Sequence, residues 1–199
     1  MKTFNIAFFA SHGGSNMQAI LDAIKDGRLK SNPAVLITNN SKSGACEKAA
    51  AFGLLVYHVS SVTHPDDNER AKFIIEILEK FKIDLIVLAG YMKKLPSEVI
   101  ARMNGRVLNI HPALLPKFGG EGMYGINVHK AVIEAGNKIS GATVHLVESE
   151  YDRGRILLQK EVVVLADDSP ETLAERVLKA EHKLYPNVIE LLEKEEIIT

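Results

Sequence analysis

The sequence predicts one α/β domain: an open, twisted, mostly parallel sheet with helices on both faces. Three observations carry this. The chain has 199 residues, close to the size of a single domain, and at that size folding removes roughly 70% of the unfolded surface from water. Hydrophobic residues make up 46% and charged residues 25%, the balance of a globular chain rather than a disordered, collagenous or coiled-coil one. Short apolar runs alternate with longer stretches of helical spacing, the signature of βαβ units.

Taken in order, Phe4–Ala10, Ala34–Thr38, Leu55–His58, Leu85–Leu88 and Val107–Ile110 read as buried strands of parallel type. The clearest helix is Asn68–Phe81, where Ala71, Ile74, Ile75 and Leu78 share one face. Its other face carries Glu69, Lys72, Glu76 and Lys80, a solvated surface. Ala142–Val147 and Arg155–Glu161 read as two further strands joined through a Glu148–Gly154 loop. Ser169-Pro170-Glu171 starts a helix, with a capping serine, a first-turn proline and an acid at the positive end of the dipole. That helix buries Leu173, Val177, Ala180 and Leu184, and Pro186 is expected to interrupt or kink it.

Charge and cysteine usage narrow the function classes. Lys plus Arg is 24 and Asp plus Glu is 25, a net charge of -1, which argues against nucleic-acid or membrane-surface binding through bulk charge. The single cysteine, Cys46, cannot form an intrachain disulfide, so a reducing cytoplasm fits best. Phe4–Ala10 is too short to span a membrane and lacks the features of a signal peptide. His12, His58, His64, His129, His145 and His182 show no zinc-binding spacing, so no metal is expected.

Three segments could carry chemistry. Ser11-His12-Gly13-Gly14-Ser15-Asn16 follows the first strand and opens a helix, where free N–H groups and the dipole favour an anion. Its spacing matches neither the dinucleotide nor the Walker pattern, so a lone phosphate is the better ligand; a plain glycine turn with a serine cap also fits. Asn109 and His111 flank one residue at a strand end and point the same way, suiting them to polarise a carbonyl and move a proton. A hydrogen-bonded polar strand end fits equally well. In Glu150-Tyr151-Asp152-Arg153-Gly154, Asp152 could orient His111 or hold a water; the segment also fits an acidic turn with Gly154 at positive φ.

Together and in order, these segments resemble the phosphoribosylglycinamide formyltransferases. The carrying residues are Gly14-Ser15-Asn16-Met17-Gln18-Ala19, Leu88-Ala89-Gly90-Tyr91-Met92, Asn109-Ile110-His111-Pro112, Leu114-Leu115-Pro116-Lys117-Phe118 and Glu181-His182 with Tyr185-Pro186. The resemblance runs from about Phe4 to about Leu192 and implies one Rossmann-like formyltransferase domain over residues 1–199. It implies formyl transfer from 10-formyltetrahydrofolate to the amine of glycinamide ribonucleotide, with no metal and no covalent enzyme intermediate. Asn109, His111 and Asp152 take the catalytic places, with Asp152 holding His111 charged and oriented. Gly14, Ser15, Asn16 and Glu181 take the ribonucleotide places. Tyr91, Met92, Lys93, Leu95, Asn109, Glu148 and Tyr151 border the folate. The partners implied are small molecules rather than nucleic acid or membrane, in a monomer or a homodimer.

The sequence departs from the family pattern after Phe118, where Gly119-Gly120-Glu121-Gly122-Met123-Tyr124-Gly125 forms a longer, glycine-rich loop. The basic residue expected near the folate tail has no secure match; Arg70 is close but offset. A sibling formyltransferase, a formyltetrahydrofolate hydrolase or a non-catalytic phosphate-binding module are the competing readings. The transfer-RNA enzymes add an RNA-binding domain and the hydrolases a regulatory one, neither of which is expected here.

Overall fold

A computed structural model of the protein describes residues 1–197, so the final two positions of the 1–199 domain lie outside the described residues. The elements run β1 (Asn5–Phe9), α1 (Ser15–Lys25), β2 (Asn32–Thr38), α2 (Gly44–Phe52), β3 (Leu55–His58), α3 (Asp67–Lys80), β4 (Leu85–Leu88), α4 (Ser97–Met103), β5 (Val107–His111), α5 (Ile126–Glu134), β6 (Ile139–Leu146), β7 (Ile156–Val163) and α6 (Pro170–Glu193). They build one sheet of order β3-β2-β1-β4-β5-β6-β7. Strands β1 to β5 are parallel, and β6 and β7 extend the sheet antiparallel.

Alternation along the strands divides the core between two faces. Ile6 and Phe8 pack with Met17, Ile20 and Leu21 of α1 and Leu173, Val177 and Val188 of α6. Ala7 and Phe9 pack on the other side with Ile74, Ile77 and Leu78 of α3 and Val99 and Met103 of α4. Helices therefore cover both faces, as the sequence predicts.

Local chemistry explains most boundaries. Asp66 caps α3 by accepting the Glu69 N–H. Ser169 caps α6 in a reciprocal box with Thr172, and Asp168 beside it binds Arg176 through both oxygens.

Three expectations need correction. Leu55 and Val56 are exposed because β3 is an edge strand, not a buried one. The buried stripe of α3 is rotated to include Ile77, leaving Ile75 at its half-buried margin. Helix α6 runs through Pro186 without interruption. An interior proline costs about 3 kcal/mol in an isolated helix, but here Leu184, Tyr185, Pro186, Val188 and Ile189 are all buried and hold the helix on the sheet; Ala180 is only half-buried.

Candidate active site

The strand order reverses between β1 and β4, and open α/β sheets bind ligands at such a switch point, beyond the strands' carboxyl ends. The loops after β1 and β4 meet there. The Ser11 N–H donates to the Gly90 carbonyl (3.1 Å), and the Ser11 hydroxyl accepts the Met92 N–H (2.8 Å). A cavity of about 870 Å³ opens at this edge and extends over β5 and β6 to the Glu148–Asp152 segment, the 120–126 loop and α6.

Strand β5 runs one residue further than expected, so Asn109 and His111 both lie on it, two apart, and both line the cavity. Asp152 joins them from the loop after β6. Its Oδ2 lies 3.5 Å from His111 Nδ1 and accepts the Gly120 N–H at 2.9 Å. His111 Nε2–H donates to the Phe118 carbonyl at 2.7 Å, since a carbonyl can only accept. The acidic-turn alternative for this segment placed the positive φ at Gly154, but Asp152 itself takes it (φ 55). Gly154 is needed instead for space, because a Cβ there would run into the Leu146 carbonyl.

Electrostatics act on both His111 and Asp152. Burial pushes His111 below the ordinary imidazole range; Asp152 and the Phe118 carbonyl pull it back up without prevailing, and His145 adds to the depression. Asp152 therefore eases the charging of the ring, and burial opposes it. Burial would raise the Asp152 carboxyl, but the neighbouring His145 and His111 rings and the hydrogen bond from the Gly120 N–H hold it below the usual range.

On the α1 side, Asn16 and Glu181 line the cavity, and the Asn16 Nδ2–H donates to Glu181 Oε2 at 2.6 Å. Burial pushes the Glu181 carboxyl up to about 7, against that hydrogen bond. Asn16 Oδ1 is buried and has no partner. Gly14 takes φ 63 as the N-cap of α1, and a Cβ there would sit 2.8 Å from the Ala45 Cβ. Gly14 and Ser15 are not on the cavity wall.

The whole expected folate wall, Tyr91, Met92, Lys93, Leu95, Asn109, Glu148 and Tyr151, lines the cavity. Tyr91 packs edge-on against Phe9, and Lys94 sits over the Tyr151 ring. Arg70 is not on the wall; it binds the His64 carbonyl and Asp67. Sequence reasoning gave no site role to the cavity histidines His129 and His145, while His12, in the loop singled out after the first strand, is also on the wall. His129 is buried with Nδ1 unpartnered, and burial with nearby His111 pushes it down. His145 faces Asn109 across the β5–β6 ladder; only the strand register could have revealed it. Among the described residues no His, Cys, Asp and Glu group is arranged to hold a metal ion, and no helix is long and apolar enough to cross a membrane.

A doubly wound sheet with an amide, two imidazoles and a carboxylate converging beyond its central strands places the chain among α/β proteins with titratable groups gathered at the switch point. Residues 4–189 match the formyl transferase family, and the chain belongs to it. It is 44% identical over 193 residues to the chloroplastic phosphoribosylglycinamide formyltransferase of Arabidopsis thaliana, covering 96% of this chain and 66% of that one. The chain thus spans just under two thirds of that plant relative. The Bacillus subtilis (strain 168) phosphoribosylglycinamide formyltransferase is 35% identical over 192 residues, covering 96% and 95%. The crystal structure of glycinamide ribonucleotide transformylase 1 from Symbiobacterium toebii superimposes with a TM-score of 0.92 at 34% identity, covering 99% of this chain and 91% of that one.

Proposed function

We propose that this protein transfers the formyl group of 10-formyltetrahydrofolate to the primary amine of glycinamide ribonucleotide, a step of purine biosynthesis, acting as one domain. The observation that carries the reading is the convergence of Asn109, His111 and Asp152 in one cavity, between Asn16 and Glu181 on one side and Tyr91 and Met92 on the other. Near-full-length likeness to bacterial enzymes of that name supports the choice of substrates. The lone Cys46 supports a reducing cytoplasm as the compartment, and the partners are the two small molecules, in a monomer or a homodimer.

The amine attacks the formyl carbon directly, giving a tetrahedral intermediate whose carbon–N10 bond then breaks. Asn109 donates a hydrogen bond to the formyl oxygen as negative charge grows on it. That charge favours the protonated form of His111, so the buried ring takes up the proton that the attacking amine sheds and gives it back as the carbon–N10 bond breaks. Asp152 orients the ring and relays the amine proton through water to N10 of the leaving folate. The raised pKa of Glu181 keeps a carboxyl proton available near neutrality to donate to the nucleotide's glycinamide and ribose part. The N–H groups at the start of α1 receive the phosphate.

The purified protein is expected to release tetrahydrofolate rapidly only when glycinamide ribonucleotide is present. Equal folate turnover without the acceptor identifies a hydrolase and overturns transfer.

A further inference from the structure

We propose that His145 is the positioning residue for Asn109. In this assignment it is a neutral imidazole protonated at Nδ1, whose Nε2 lone pair takes one amide hydrogen of Asn109 and leaves the other for the formyl oxygen. The inference rests on the formyl-transfer reading and deepens it.

The hydrogen-bond network carries the assignment. Asn109 and His145 are directly opposite in the antiparallel ladder. His145 Nδ1 lies 2.8 Å from the Leu146 carbonyl, an acceptor only, so Nδ1 carries a hydrogen. Asn109 Nδ2, a donor only, lies 3.1 Å from His145 Nε2, so Nε2 must accept. One neutral tautomer satisfies both contacts. The competing form is the imidazolium, whose Nε2–H would turn to Asp152 Oδ1, but that oxygen is further away at 3.5 Å. It would also set an N–H against the Asn109 N–H.

The orientation matters because the two ends of a carboxamide have nearly the same shape and opposite polarity. Turned by half a rotation, Asn109 would present Oδ1 to the formyl oxygen, and a donor to the oxyanion would become a repulsive acceptor. The imidazole that prevents this is 2% exposed, so water has little room to replace it. The network thus joins the oxyanion donor to a rigid strand pair rather than to a loop.

Two measurements test this. The first is ¹⁵N NMR of histidine-labelled wild-type protein, with His145→Gln used to assign the signal. The result expected is a neutral ring with hydrogen on Nδ1; a hydrogen on Nε2, alone or together with Nδ1, overturns the proposal. The second compares His145→Leu with His145→Gln, because the Gln Oε1 reaches the place of Nε2 and can accept from Asn109. Leucine is expected to lose on the order of 10²-fold in kcat with both KM values held, the mark of an interaction made in the transition state. Glutamine is expected to recover about tenfold of that loss, which a residue serving only to fill space would not allow. Wild-type kcat in the leucine variant, or glutamine no better than leucine in proteins that melt like the wild type, overturns it. A wild-type protein that transfers no formyl group overturns the underlying reading instead. The NMR result still decides the His145–Asn109 bond, and where His145→Gln fails to fold the signal is assigned with His145→Leu or by through-bond correlation in the wild type.

Discussion

Asp152 sits between two imidazoles and raises the proton affinity of His111 against the effect of burial. Asp152→Asn keeps the volume and removes the charge, so it is expected to lower kcat by about 10²–10⁴-fold. Losing the carboxylate removes an influence that raises the His111 pKa, so the alkaline limb set by the imidazolium moves to lower pH. Profiles of kcat against pH for the wild type, Asp152→Asn and His111→Asn check this; a folded Asp152→Asn protein with normal kcat and an unmoved limb refutes the role. Glu181 gives a stability signature. Its folded pKa of about 7 lies above the ordinary 4.5, so the carboxyl is tolerated at low pH and becomes costly as pH rises between those values. The full cost is on the order of 3 kcal/mol. Glu181→Gln can still accept from Asn16, so it is expected to gain stability of that order at about pH 8 and almost none at about pH 4. It is also expected to raise the KM for ribonucleotide. Urea unfolding at both pH values reads the first effect and initial rates the second. Asn109 and His111 were legible in the sequence because a strand end needs only a two-residue spacing. His145 was not, because its place depends on which residue of a distant strand lies opposite.

At the scale of elements, the Phe118–Gly120 turn matters as much as any side chain. Its Phe118 carbonyl takes the His111 hydrogen and its Gly120 N–H holds Asp152, so one turn of backbone sets both groups. A Cβ on Gly119 would run into the Leu115 side chain and come within 3.1 Å of the Asp152 Cβ. Gly119→Ala therefore displaces the turn or the carboxylate, and misplacement of about 1 Å is expected to cost about 10²-fold in kcat. Ribonucleotide affinity, measured calorimetrically, should change little; a fall in affinity at unchanged kcat would assign the turn to binding instead. Sequence patterns reach such elements unevenly. The capping serine and proline of α6 are local signals and hold in the structure. The exposure of β3 and the continuity of α6 through Pro186 depend on the neighbours each element packs against, which no local pattern contains.

The molecule as a whole is closed by its last helix. Glu193 is fully buried at the end of α6, where its carboxylate accepts hydrogen bonds from the Lys30 and Ser31 N–H groups and the Ser31 hydroxyl, between α1 and β2. Glu193→Ala leaves those donors unpaired and is expected to cost about 3 kcal/mol of stability, read from chemical unfolding, with kcat per folded molecule unchanged. The overall sheet was legible in the sequence because strand and helix periods alternate plainly, but the partnership of Glu193 with Ser31, 162 positions apart, was not. The same long reach links Asn16 to Glu181, 165 positions apart, inside the cavity. A chain emerging from the ribosome would therefore have the Asn16 side of that pocket long before it had the Glu181 side. Nucleotide recognition would wait for α6 to dock, making substrate binding a reporter of completed folding rather than of any partly formed state.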